Sequence, residues 1–207
     1  MLTYRSLPSA AEAFCAAVRG GVFTDVEGLP LDPEEGLERA LGLLRAAGAR
    51  GGTVYLVGNG GSAAVASHAA TDLMRGAGVR AATVHDAPLL TCLSNDHGYE
   101  RAYALALGRH LRRGDLVVAI SSSGRSPNIL NAARVALTRG ASLLTLSGFR
   151  GGNPLRALGT LNYWLDSDDY GVVELGHLFL LHHLADRLAL ERGPAAVREA
   201  CHGAARA

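Results

Sequence analysis

Five short apolar runs constrain this chain more than any other feature: TVYLV (53–57), VRAATV (79–84), LVVAI (116–120), SLLTL (142–146) and LNYWL (161–165). Runs of this length, bounded by turn residues, read as buried strands. Between them lie segments with helical character at 62–75, 99–112 and 127–139, a short one near 153–158, and a long helix over 171–192 after the last run. Strands alternating with helices predict a parallel sheet covered on both faces. In such sheets ligands sit at the carboxyl ends of the strands. Two more helical segments, 8–19 and 33–47, precede the first strand and are separated by Gly20-Gly21 and Gly28-Leu29-Pro30. The expected organisation is α/β, one domain over 1–207 with a helical N-terminal arm at 1–48.

Composition removes several function classes. The net charge is +1 with no run of one sign, which argues against a nucleic-acid partner. Cys15, Cys92 and Cys201 are far apart without CxxC spacing, so neither a disulfide framework nor a cysteine metal site is expected. No apolar run reaches the ~18 residues of a membrane span, and the first residues lack a secretory pattern. The expectation is a soluble cytoplasmic protein with no membrane partner.

Four stretches carry chemistry. Gly58-Asn59-Gly60-Gly61-Ser62 follows the first strand and opens a helix. Its glycines permit close backbone approach, and the helix would aim free N–H groups at an anion. It fits neither a Walker A motif nor GxGxxG, and a tight turn with no ligand stays open as a reading. Ser121-Ser122-Ser123-Gly124-Arg125-Ser126-Pro127-Asn128 follows the third run and leads into a helix. Four hydroxyls exceed what helix capping needs and suit a phosphate group. In Ser94-Asn95-Asp96-His97-Gly98-Tyr99, Asp96 is expected either as the N-cap of the helix at 99–112 or as a ligand contact, and His97 as a solvated loop residue.

The fourth stretch, Glu174 to His183, holds His177, His182 and His183 on a helix. At 100° per residue, His182 falls about 80° from Glu174, His177 about −60° and His183 about 180°. Glu174 and His182 can therefore share a site that His183 faces away from. Upstream, His68 and Asp72 share a helical face at i, i+4.

In these residues the chain resembles the phosphosugar-binding SIS family, and within it the sedoheptulose 7-phosphate (phosphoheptose) isomerases. The resemblance runs from about residue 36 onward through GNGGSAAVASHAATDL, SNDHGY, GDLVVAISSSGRSPNILNA, TLSGFRGGNPL and VELGHLFLLHHL, in order and spacing. It implies a doubly wound five-stranded parallel sheet and a homotetramer with active sites between subunits. It implies phosphosugar contacts at Ser62, Ser121, Ser122, Ser123 and Ser126, with Asn59, Gly60 and Gly61 shaping the first turn and Asp96 and Glu174 touching substrate. It implies catalysis by Asp72 and His182, and a Zn2+ set of His68, Asp72, Glu174 and His182. Two histidines and two carboxylates suit zinc chemically. Three positions depart from the family: Asp72 stands where it has glutamate, Glu174 where it has glutamine, and Gly171 where it has an aspartate that Asp168 or Asp169 could replace.

The activity implied is aldose–ketose isomerisation of sedoheptulose 7-phosphate to a D-glycero-heptose 7-phosphate through an enediolate, with Asp72 as base and His182 moving protons between oxygens. The alternatives are an isomerase for another sugar phosphate and a non-catalytic SIS regulator that binds a replication initiator. The latter proteins lack the catalytic carboxylate and histidine that Asp72 and His182 supply here.

Overall fold

The computed structural model describes residues 6–194; Cys201 lies outside them. All five expected strands form, as β2 (Val54–Val57), β3 (Ala81–Thr83), β4 (Leu116–Ser121), β5 (Ser142–Ser147) and β6 (Leu161–Trp164), and they pair in parallel. A sixth strand, β1 (Val22–Thr24), corrects the expected five: it pairs antiparallel with β6. Its three residues sit between a glycine turn and a loop, too short for any periodicity to show. The strand order is β1-β6-β5-β4-β2-β3.

The helices are α1 (Leu7–Arg19), α2 (Pro33–Ala49), α3 (Gly61–Arg75), α4 (Ala87–His97), α5 (Tyr99–His110), α6 (Pro127–Thr138) and α7 (Tyr170–Glu191), with a 3-10 turn at Leu155–Ala157. Alternation along β4 divides the core. Leu116, Val118 and Ile120 join Leu41 and Leu44 of α2, Val65 and Leu73 of α3, and Leu181 and Leu184 of α7 on one face. Val117 and Ala119 join Tyr103 and Leu107 of α5 and Ile129 and Ala133 of α6 on the other. Every residue of β4 is buried, as a central strand covered on both faces requires. Truncating Leu44 to alanine would cost about 2–5 kcal/mol.

Helix starts follow local chemistry. Asp32 accepts from the N–H groups of Glu34 and Glu35 at the head of α2, with Pro33 at the first helical position. Asp169 accepts from Val172 N–H (3.0 Å) to cap α7. Where a loop was expected before residue 99 there is α4, started by Pro88 in its first turn. Asp96 therefore lies in the last turn of α4 and is not the N-cap of the next helix. Gly98 (φ 85°) ends α4 and begins α5, a conformation that favours glycine. Neither α1 nor α4 contributes a buried residue; α1 lies on α7 through an edge-on contact of Phe14 with Phe179, ring centroids 6.3 Å apart.

Candidate active site

Neighbouring strands β2 and β4 send their connections in opposite directions, to β3 and to β5, so the crevice beyond their carboxyl ends is the switch point of the sheet. Both Gly/Ser loops open there, around a cleft of about 150 Å³ lined by Asn59, Ser62, Ser121, Ser122, Ser123, Ser126, Tyr170 and Glu174.

The cleft is held rigidly by its own chain. Gly60 turns with φ 53°, and a β-carbon on Gly58 would strike Ser62. Asn59 and Asn128 exchange amide hydrogen bonds of 2.9 and 2.7 Å, and Tyr99 Oη donates to Asn59 Oδ1 at 2.7 Å. Buried Tyr103 donates to the Gly58 carbonyl at 2.7 Å; burial pushes its phenol well above the usual range. In the second loop Ser121 Oγ donates to Ser126 Oγ (3.2 Å), and Arg125 N–H donates to Ser123 Oγ (3.2 Å). Ser122 Oγ is buried with no partner among the described residues, which leaves a donor for a ligand.

Among the described residues no arginine lines the cleft, and its one formal charge is Glu174. That carboxylate lies so close to Gly61 that any side chain there would collide with it. It therefore stands at the head of α3, whose N-cap Gly60 makes no side-chain hydrogen bond. Burial pushes the Glu174 carboxyl up, partly offset by the Ser62 N–H.

Farther along the same two helices stands a second constellation. Asp72 Oδ2 lies 2.9 Å from His182 Nδ1 and 3.2 Å from His68 Nε2. Asp72 is nearly buried at 9% exposure, whereas both histidine side chains are half exposed. The Asp72 hydrogen bond, aided by Asp186 at 3.6 Å from Nε2, pushes the His182 imidazole above its ordinary pKa. One donor atom each from His68, Asp72 and His182 falls within 4.8 Å of the others, and two imidazole nitrogens with a carboxylate oxygen fit a divalent transition metal.

Glu174 is not part of that group. Helical angle and the family resemblance put it beside His182, but eight residues of helix separate them by about 12 Å of rise. Asp96 does not reach the cleft: it is exposed on α4, accepting from Asn95 Nδ2 at 2.9 Å. His97 is exposed in the same turn and His183 is exposed on α7. His177 is a core histidine, wholly buried; its Nε2 pairs with the Ser147 carbonyl at 3.0 Å and burial drives its pKa down to about 4. Asp169 is engaged as the α7 cap, with its Oδ1 3.2 Å from where a β-carbon on Gly171 would stand, and Asp168 is exposed. Sequence reasoning did not single out Asn128, Tyr99, Tyr103 or Tyr170 as site residues. Asn128 and Tyr99 fall inside stretches whose sequence was already notable, but no role was read for either.

Comparisons with known proteins agree with this arrangement. Residues 31–148 match the SIS domain family. A phosphoheptose isomerase of Citrifermentans bemidjiense is 31% identical over 161 residues, covering 75% of this chain and 83% of its relative. One from Bradyrhizobium is 39% identical over 147 residues, covering 67% and 72%. Among solved structures, phosphoheptose isomerase GmhA from Neisseria gonorrhoeae superposes with a TM-score of 0.74 at 24% identity, covering 87% of this chain and 94% of that one. A phosphoheptose isomerase from Francisella tularensis gives 0.77 at 21% identity, covering 92% and 100%. The chain belongs to the SIS-domain family, in its phosphoheptose isomerase branch.

Proposed function

We infer that this aldose–ketose isomerase of sugar phosphates acts on sedoheptulose 7-phosphate, giving a D-glycero-heptose 7-phosphate through an enediolate. The observation that carries the reading is the pairing, on one pair of helices, of a neutral donor cradle at the switch point with a histidine–carboxylate cluster. Ser121, Ser122, Ser123 and Ser126, with Ser62 and the opening N–H groups of α3, hold the phosphate. Asn59, Gly60 and Gly61 fix the first turn, and Glu174 offers an acceptor to the sugar beside them. Asp72 removes the proton next to the carbonyl; His182, hydrogen-bonded to Asp72, passes protons between the two oxygens. Bound Zn2+ would polarise the carbonyl, and His68, Asp72 and His182 are the residues to hold it. Asp96 would touch substrate only from a neighbouring copy, since it stands away from its own chain's cleft.

The second part of the proposal is a homotetramer in the cytoplasm, with a single SIS domain over 1–207 and the 1–48 arm in the subunit contacts. Leu175 and Phe179 on α7 are 58% and 53% exposed, two turns and one turn before half-exposed His182. An apolar stripe leading to an open cluster supports active sites between subunits. Among the described residues no helix is long and apolar enough to cross a membrane.

The test is incubation of purified protein with sedoheptulose 7-phosphate, with and without Zn2+, following aldose formation. No turnover under either condition overturns the substrate. Light scattering should give a mass near four times 21.5 kDa, and a stable monomer would remove the inter-subunit site.

A further inference from the structure

Phe149 is the one non-glycine residue with positive φ among those described, at 54°. A bulky L-residue there costs about 1–2 kcal/mol, so the surroundings must hold it in place. They do so densely. Phe149 N–H donates to the Ser167 carbonyl (2.9 Å), and its own carbonyl accepts from the Trp164 indole (3.2 Å). The preceding Gly148 N–H donates to the Ser122 carbonyl (2.9 Å), and a β-carbon on Gly148 would run into Val173 of α7. The bent backbone is thereby tied both to the serine loop and to the start of α7.

The bend delivers the Phe149 ring edge-on to Tyr170, with centroids 4.9 Å apart and planes at 79°. Tyr170 is the first residue of α7 and lines the serine cleft beside Glu174, yet it is 61% exposed. Core packing does not account for the Tyr170 ring, which is mostly in solvent, whereas Phe149 is partly buried and packs against the core from the other side of the contact. The strained backbone thus braces a rigid, exposed ring among the residues that line the cleft. A tyrosine there offers an apolar face to sugar C–H groups and a hydroxyl to a sugar oxygen, with few torsions to freeze.

We propose that Tyr170, buttressed by Phe149, is the specificity-determining residue of this cleft, selecting among linear ketose monophosphates by chain length. The proposal rests on the phosphosugar reading above. It assigns Tyr170 no proton transfer; its contribution is contact with the sugar beyond the phosphate.

The experiment measures kcat and KM of full-length wild type, Tyr170→Phe, Tyr170→Ala and Phe149→Gly on ribulose 5-phosphate, fructose 6-phosphate and sedoheptulose 7-phosphate. Inorganic phosphate affinity is read in parallel from the fluorescence of the single tryptophan, Trp164, which is bonded to Phe149. Tyr170→Ala is expected to compress the kcat/KM ratio between the best and worst ketose about tenfold or more, the scale of a lost specificity contact. The change should fall in KM, with kcat little altered. Phe149→Gly, which relieves the backbone but deletes the buttress, should move the ratio the same way, and Tyr170→Phe should keep most of it. Phosphate affinity should match wild type in all three, which also shows that the cleft has folded. An unchanged ratio in both Tyr170→Ala and Phe149→Gly overturns the proposal alone. A wild type that binds phosphate but turns over none of the ketoses overturns the isomerase reading, and this proposal with it.

Discussion

At the N-terminal ends of α3 and α7, the serine cleft is lined by neutral hydroxyls and amides bonded to their own chain, with Glu174 as its one charge and Ser122 as a donor left without a partner among the described residues. Some ten residues farther along α3, the cluster of His68, Asp72 and His182 is charged, titratable and half in solvent. One chain therefore completes the first region and leaves the second unfinished. A rigid, neutral donor set suits recognition, because it binds an anion without reorganising. An open cluster with a shared acidic hydrogen bond suits proton movement, and its exposure leaves room for another subunit to enclose it. The two regions should fail differently when altered: the cleft in binding, the cluster in rate.

The largest effect is expected at the cluster. Asp72→Asn keeps the shape but removes the proton acceptor, and kcat with sedoheptulose 7-phosphate should fall by ~10² or more. His182→Ala should do comparable damage. Undiminished turnover by Asp72→Asn would falsify the assignment of chemistry to this end of the helices.

The cleft should respond in affinity. Each hydrogen bond from serine to a charged phosphate is worth about 1.5–3 kcal/mol, so Ser121→Ala with Ser123→Ala should weaken phosphosugar binding by at least one such step. The effect belongs in Kd and KM. A loss confined to kcat would erase the division between the two regions.

His177 sharpens the contrast from beneath the cleft. Its folded pKa of about 4 lies below the ordinary value of 6.5, so below pH 6.5 the unfolded chain takes up a proton that the folded chain refuses. The stability it protects is whole above pH 6.5 and is lost as pH falls toward 4, by about 3 kcal/mol. Urea midpoints of wild type and His177→Gln at pH 7.5 and pH 4.5 should show the wild type losing more on acidification. Parallel losses would mean that His177 titrates normally.

The smallest effect is expected one residue beyond the cluster. His183 is exposed and outside the donor group, so His183→Ala should leave turnover within about twofold, the level of a surface change. Damage equal to that of His182→Ala would show that angular position on α7 does not decide which histidine acts.

Much of this was legible before any coordinates. The five parallel strands could be read because each is an apolar run of fixed length ended by a turn, and both cleft loops because glycines and serines fall directly after strands. Asp72 and His182 came from helical spacing joined to a family resemblance. What escaped was short or axial. β1 has only three residues, and α4 buries none, so neither leaves a periodic signature. Glu174 was joined to His182 by helical angle and the family resemblance, while the rise along the axis carries it to the other region. Tyr170 and Phe149 meet only because the chain bends at a residue whose sequence gives no notice of it.

β1 has a consequence for the order in which the chain assembles. Its place is fixed by Asn162, whose side-chain amide donates to the Thr24 and Asp25 carbonyls (3.4 and 3.1 Å), and by Phe23 against Tyr163, ring centroids 4.8 Å apart. Those partners lie more than 130 residues downstream. On the ribosome β1 is thus made long before its partner and cannot dock until β6 has emerged. Until it docks, the outer edge of β6 is an open row of donors and acceptors that another nascent chain could join. A strand of three residues adds little burial, but it closes that edge, and until it arrives the edge stays open to pairing with another chain.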